Sequence, residues 1–370
     1  TASDDFPTTA SVFQPNFNGG TNFSPSGIGV SFPNGSDIFV SRLSAGGGNL
    51  LASTFIGGTG NDGLNTSSKL RYNYADEVRG EIDIDKQNNI YIATCTNSSD
   101  FPTKSSFQNN FQGAQEGCVI KMDNQLTSII WSAYVGGTHD DAIYSLALDY
   151  NDNIYVTGGT NSHNFPATSN AYQNLYQDSI NADAFVTKIA SNGNQILAST
   201  YLGSNEYDQS YFVEIGKDNS VYLFGQTKAS GNQFIKNATY SVSEGSQFIS
   251  VFNEDLSDLL KSTVIGTGKG TPDISPTAFL VDICNKIYIS GWGSNLGGGT
   301  LSTLNLPITD SAYQENTDGN DIYLMVLDNT LSSIIYATYF GGSQSNEHVD
   351  GGTSRFDKKG VIYQSVCAGC

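Results

Sequence analysis

Charge is scarce in this chain, and positive charge scarcest: 14% of residues are charged, with 17 Lys plus Arg against 36 Asp plus Glu. A formal charge of −19 leaves no cluster of cations to meet phosphates, which excludes nucleic acid as a partner. The same charge favours solubility and could attract divalent cations. No apolar run approaches the roughly twenty residues that span a bilayer, so a soluble domain without membrane insertion is expected. No window sustains a 3.6-residue apolar period, so no helix is needed. Histidine occurs three times, at His139, His163 and His348, never in an HExxH arrangement. No GxSxG, Walker or Rossmann signature survives its context test, which removes the commonest catalytic frameworks.

What the chain has instead is repetition. Forty Gly, with many Asn, Ser and Thr, punctuate short apolar runs of strand length. One run recurs as LLASTFIGG (Leu50–Gly58), IIWSAYVGG (Ile129–Gly137), ILASTYLGS (Ile196–Ser204), LLKSTVIGT (Leu259–Thr267) and IIYATYFGG (Ile334–Gly342). A following pair recurs at Glu81–Thr94, Leu146–Gly158, Val213–Gly225, Phe279–Gly291 and Ser354–Val366. Loop markers Phe6-Pro7, Phe101-Pro102, Phe165-Pro166 and Leu306-Pro307 come next, and a last run recurs at Asp37–Leu43, Gly117–Met122, Asp183–Ile189, Ser246–Phe252 and Asp321–Leu327. Five copies of a four-strand unit predict an all-β chain, a β-propeller of four-stranded antiparallel blades.

The residue before the Gly pair sits at Phe55, Tyr134, Tyr201, Val264 and Tyr339, so successive copies lie 63 to 79 residues apart. Propeller repeats run about 40–50 residues, so these blades carry long second-to-third-strand loops, read here as free display elements, and an insert follows Gly58. The chain reads as a single propeller domain over 1–370, with both ends cut inside a repeat. One reading closes five blades, with Ser354–Val366 completing the blade begun by Asp37–Gly58. The favoured one is a window from a larger propeller.

Few residues offer chemistry. An acid follows the Gly pair at Asp62, Asp141 and Asp208, drifting to Asp273 and Glu347 in the other copies. Acidic, Gly-rich loops suit calcium. Alternatively each Asp bonds its own blade-to-blade turn, and a residue repeated once per blade more often serves the blade. The repeated tyrosines read as inter-blade packing. Trp131 aligns with Ala52, Ala198, Lys261 and Tyr336, and a position that tolerates Lys faces solvent or an edge, so Trp131 is a candidate ligand contact. Trp292, at the end of a second strand, is another; burial is the competing role for both. Cys95 ends one strand and Cys118 opens the next, so a disulfide between them or two free thiols are both open. Cys367 and Cys370 form a CxxC without a second pair, which argues against zinc.

The order Gly-Gly, acidic turn, D-x-x-x-N-I-Y-V-x-G, Phe-Pro and D-x-F-V-x-K resembles the SBBP repeat, the beta-propeller repeat of bacterial surface and secreted proteins. The closing stretch GGSQSNEHVDGGTSRFDKKGVIYQSVCAGC resembles large Bacteroidota proteins that join such propellers to PKD modules and a gliding-motility-associated C-terminal sorting domain. The resemblance implies export by type IX secretion and an extracellular or outer-surface location. It offers no catalytic residues. The expectation is therefore a non-enzymatic module for adhesion, ligand display or scaffolding, with other surface proteins or glycans as partners and no cofactor beyond possible calcium. The alternative is a polysaccharide-acting enzyme or glycan-binding domain with its site at the propeller face.

Overall fold

Ile, Val, Tyr, Phe and Thr fill each short run, and Gly, Asn or Asp bounds it, so the runs form strands joined by tight turns. The computed structural model describes residues 1–25, 29–177, 180–294, 300–349 and 354–368. Strands β1 (Ile38–Leu43) and β2 (Leu50–Ile56) form a two-stranded hairpin sheet. Four antiparallel four-stranded sheets follow. The first holds β3 (Glu81–Ile84), β4 (Ile90–Thr96), β5 (Glu116–Met122) and β6 (Ile129–Val135). The second holds β7 (Asp141–Leu148), β8 (Ile154–Thr160), β9 (Asp183–Ile189) and β10 (Ile196–Leu202). The third holds β11 (Asp208–Ile215), β12 (Val221–Thr227), β13 (Gln247–Phe252) and β14 (Leu259–Ile265). The fourth holds β15 (Ser275–Val281), β16 (Ile287–Trp292), β17 (Ile322–Leu327) and β18 (Ile334–Phe340). A last hairpin joins β19 (Ser354–Phe356) to β20 (Ile362–Gln364). The molecule is a β-propeller, with each first strand (β3, β7, β11, β15, β19) beside its neighbour around a central channel.

The repeated D-x-x-x-N is a turn device. Asp149 accepts the N–H groups of Asn151 (2.8 Å) and Asn153 (2.9 Å), while Asp152 takes a left-handed φ of 60°. Asn88, Asn219, Asn285 and Gly360 hold the same left-handed place in the other copies, a conformation that Asn, Asp and Gly adopt most readily. The Lys of D-x-F-V-x-K then reaches back to this turn. Lys188 contacts Asp149 at 3.5 Å and lies 5.1 Å from the Tyr155 ring centre, and Lys121 repeats the contact with Asp85 (3.1 Å) and Tyr91 (4.7 Å).

The long second-to-third connections are not free loops. After Phe101-Pro102 and Phe165-Pro166, and after Phe234 in a blade without the proline, the chain runs along the fourth strand of its own blade. Lys104 pairs with Ser132, Thr168 donates to Ser199 O (2.9 Å), and Lys236 pairs with Ser262. Tyr134 Oη donates to Ser98 O and Tyr201 Oη to Ser162 O, both at 2.7 Å, pinning the start of the connection. The extra residues in each repeat therefore cover an outer edge that would otherwise offer unpaired N–H and C=O groups.

Candidate functional site

At each blade-to-blade joint an acid turns inward to bond the backbone. Asp62 accepts Gly58 N (2.8 Å), Ser98 Oγ (2.8 Å) and the Thr96 hydroxyl. Asp141 accepts Gly137 N (2.7 Å), Ser162 Oγ (2.9 Å) and the Thr160 hydroxyl. Asp208 accepts both the N–H and the hydroxyl of Ser204, each at 2.6 Å. Asp273 and Glu347 repeat the contact to Thr267 N (2.8 Å) and Gly342 N (3.1 Å). The structure thus places Asp62, Asp141 and Asp208 in three separate joints, one carboxylate each, rather than in one site. Burial pushes Asp62 and Asp141 up to about 7 and Asp208 up to about 8, against the lowering effect of those donors.

Of these five acids Asp273 faces Gln247, and the other four each face a second acid, which the sequence pattern did not reveal. The first Gly of the pair lies between them: a Cβ on Gly57 would sit 2.7 Å from both Asp37 Oδ1 and Asp62 Oδ2. Gly341 separates Asp321 from Glu347 in the same way. The first Gly of the repeat's pair is therefore explained by what flanks it. The like charge of Glu116 adds to the raised pKa of Asp141, and that of Asp183 to Asp208. Among the described residues, no group of three or more His, Cys, Asp or Glu is arranged to hold a metal ion.

The insert after Gly58 folds into the channel. Leu70 is fully buried, and its carbonyl accepts Gln209 Nε2 (3.2 Å) and the Tyr144 hydroxyl. Asn73 and Gln226 exchange side-chain hydrogen bonds at 3.1 and 2.9 Å. Asp76 accepts Tyr211 Oη (3.0 Å) and pairs with Arg79 Nε at 2.6 Å, both partners being buried. Arg79 also lies over the Tyr211 ring and donates to Ser275 Oγ (3.3 Å). One segment thereby bonds the starts of β7, β11 and β15 and closes the channel at that face.

The opposite mouth, ringed by first-to-second-strand turns, stays open. A cavity of about 570 Å³ there is lined by Asp83, Asp149, Glu214, Lys217, Asp282 and Lys358, among others. Burial in the channel, with the Glu81 and Asp83 charges, pushes Glu214 up to about 8, and Lys358 and Arg355 oppose that shift. A carboxyl that holds its proton near neutrality can act as a general acid. No spacing in the sequence marked Glu214, because its equivalents in the repeat are Asp83, Ala147, Leu280 and Arg355.

Neither tryptophan is open to a ligand. Trp131 is buried, donates Nε1–H to Ser191 O (3.1 Å) and covers Gly193 of the next blade's turn. Its equivalent Lys261 reaches the corresponding turn through Asn329 O (2.9 Å), so the position tolerates Lys because it bridges blades. Trp292 is buried against Tyr74 of the insert and His348. Cys95 and Cys118 are free thiols, not a disulfide. Cys95 pairs with Gly117 and Cys118 with Thr94, so the two side chains alternate to opposite faces of the sheet. Cys367 is disulfide-bonded, and Cys370 lies outside the described residues.

The beta-propeller repeat family (SBBP) matches residues 130–166, the stretch from β6 through β8 to the Phe-Pro marker. No curated protein matches the chain. Among solved structures, a protein of unknown function from Bacteroides caccae is 10% identical with a TM-score of 0.37, covering 82% of this chain and 78% of that one. The NanB sialidase of Streptococcus pneumoniae is 9% identical with a TM-score of 0.46, covering 99% of this chain and 68% of that one. The polysaccharide lyase Uly1 is 9% identical with a TM-score of 0.38, covering 84% and 78%.

Proposed function

We propose that this propeller is a non-enzymatic binding and scaffolding module of an exported bacterial surface protein. The observation that carries the reading is the filled channel: the insert occupies one face with buried bonds to three blades, and the long connections are committed to blade edges. The rigid frame then presents its other face, with the acidic mouth and the tight turns, to a surface protein or glycan. Export and outer-surface location rest on the sequence resemblance alone.

One specific observation favours the alternative, a polysaccharide-acting enzyme. Glu214 combines a raised pKa with a place in an open cavity beside Asp83, and paired carboxyls are what glycoside cleavage requires. A panel of soluble polysaccharides decides between the two, read both for retention on the immobilised protein and for new reducing or unsaturated ends. Retention without new ends is expected. New ends that disappear in Glu214→Gln, with its fold intact by circular dichroism, would establish the enzyme instead.

A further inference from the structure

Two of the chain's three histidines, His139 and His163, lie 24 positions apart in the sequence and side by side in the fold. His139 stands on the turn between β6 and β7, just before the joint acid Asp141, and His163 follows β8 at the start of the long connection. Three hydrogen bonds tie these two loops together. Thr138 N donates to Asn164 Oδ1, His139 N to Ser162 Oγ and Asn161 N to Asp140 O, each at 2.9 Å. Both imidazoles are exposed, and their ring centres are 6.0 Å apart. The Tyr176 ring packs on His163 at 4.6 Å, and its own hydroxyl is held by Asn181 O.

Neither histidine belongs to the repeat. The joint acids pair with Thr96, Thr160 and Thr227, which aligns the three blades. The two places then hold Gly60 and Ser99 in one neighbour and Glu206 and Ser230 in the other. A blade needs an imidazole at neither place, yet this joint has both. The hydrogen bonds also set the tautomer of a neutral His139 ring. Asn164 Oδ1 accepts Thr138 N and has no proton to give, so the Thr138 hydroxyl, 2.9 Å from it, must be the donor there. The contact of that hydroxyl with His139 Nδ1, at 3.4 Å, then needs the proton on Nδ1. Nε2 is left with a bare lone pair. Metal-ligating histidines are set in this way, one ring nitrogen donating to a fixed acceptor while the other binds the ion. Among the described residues, none bonds a ring nitrogen of His163.

We propose that His139 and His163 form a surface site for a divalent transition ion of the zinc, nickel and copper class, which imidazole suits. Metal–nitrogen bonds of about 2.0–2.1 Å put the centres of two imidazoles on one ion roughly 5–6.5 Å apart. The observed 6.0 Å lies in that range, so rotation of two exposed rings completes the site without moving the backbone. The ion has two protein ligands. Water fills its other positions, which face solvent and can take a donor from a second molecule. The net charge of −19 gathers dications in general, and the imidazoles select among them, because Mg²⁺ and Ca²⁺ prefer oxygen. The joint acid takes no part, since Asp141 is turned inward to Gly137 N. The site does not depend on whether the module binds or cleaves its partner.

Calorimetric titration with zinc chloride tests the pair, in a Cys284→Ser background that removes the exposed thiol. His139→Ala and His163→Ala are each expected to weaken zinc binding at least about tenfold, and the double variant to bind about as weakly as either, because chelation needs both rings. Excess magnesium should leave the zinc affinity of the parent unchanged. Both side chains are exposed, so circular dichroism and Tm should match the parent in every variant. No zinc binding at millimolar concentration, loss in only one single variant, equal affinity in all variants, or displacement by magnesium would overturn the proposal.

Discussion

Replacing Arg79 by Met tests whether the insert belongs to the folded core. The guanidinium is buried, pairs with Asp76 at 2.6 Å, donates to Ser275 Oγ and lies 4.7 Å from the Tyr211 ring centre. Asp76 is fully buried and keeps only neutral donors once the cation is gone: Tyr72 N (2.8 Å), Asn73 N (2.7 Å) and Tyr211 Oη (3.0 Å). Removing one partner of a buried ion pair costs about 3–5 kcal/mol, because the other charge stays buried without compensation. For a chain of this size each kcal/mol moves Tm by roughly 2 °C, so Arg79→Met should lower Tm by roughly 6–10 °C. Adding Asp76→Asn removes the stranded charge, and the double variant should recover part of the loss.

A second readout separates local opening from global destabilisation. The insert passes over Cys95, whose carbonyl accepts Gly63 N (2.8 Å) and whose thiol lies in the same buried cluster as Leu70. Native-state labelling of Cys95 should therefore quicken in Arg79→Met. A Tm change under about 2 °C with unchanged labelling would refute the reasoning, because it would mean that water reaches the pair and that the insert only rests on the channel.

Other perturbations have equally definite outcomes. Asp141 has a folded pKa near 7 against 3.8 unfolded, so its proton is held more tightly in the fold; the stability this supplies is full below about pH 4 and is lost as pH rises through 7. Wild type should therefore lose about 1 kcal/mol per pH unit more than Asp141→Asn across that window in denaturant titrations, and parallel pH profiles would contradict the assignment. Gly193 and Gly231 share a left-handed φ, 71° and 72°, so alanine should cost each about 1 kcal/mol in backbone strain, and Gly193→Ala should cost more than Gly231→Ala because its Cβ would lie 2.2 Å from the Trp131 ring while nothing lies near that of Gly231. Cys95 and Cys118 should each take up one thiol reagent only after unfolding, and a Cys95–Cys118 linked peptide in a digest of the unreduced chain would restore the disulfide. Millimolar calcium should leave Tm unchanged if the joint acids are saturated by N–H and O–H donors, whereas a rise in Tm that chelator reverses would make those joints ion sites.

The repeat was legible because each of its marks has a local cause. Asp149 bonds amides two and four residues on, and Asp152 needs only its own left-handed φ, so both leave a fixed spacing in the sequence. The joint acids were half legible. Asp141 binds a turn four residues away, but its opposite number Glu116 lies 25 positions earlier, and only the folded blade shows that Gly136 has both carboxylates against it. Trp131 misled for the opposite reason: variation at a position suggests solvent when judged one blade at a time, yet the contact it makes is with the next blade's turn, which Lys261 also reaches with a different atom. The insert was visible as extra length and invisible as a plug, since Leu70, Asn73, Asp76 and Arg79 take their partners from three other blades, Gln226 being 153 residues from Asn73. Glu214 is the sharpest case, because the repeat gives its place to Asp, Ala, Leu and Arg. Strand position alone aims it into the channel, and only the channel raises its pKa. In a propeller, periodic signals therefore report what each blade needs for itself, and the residues that distinguish one propeller's use from another's must be sought where the period breaks.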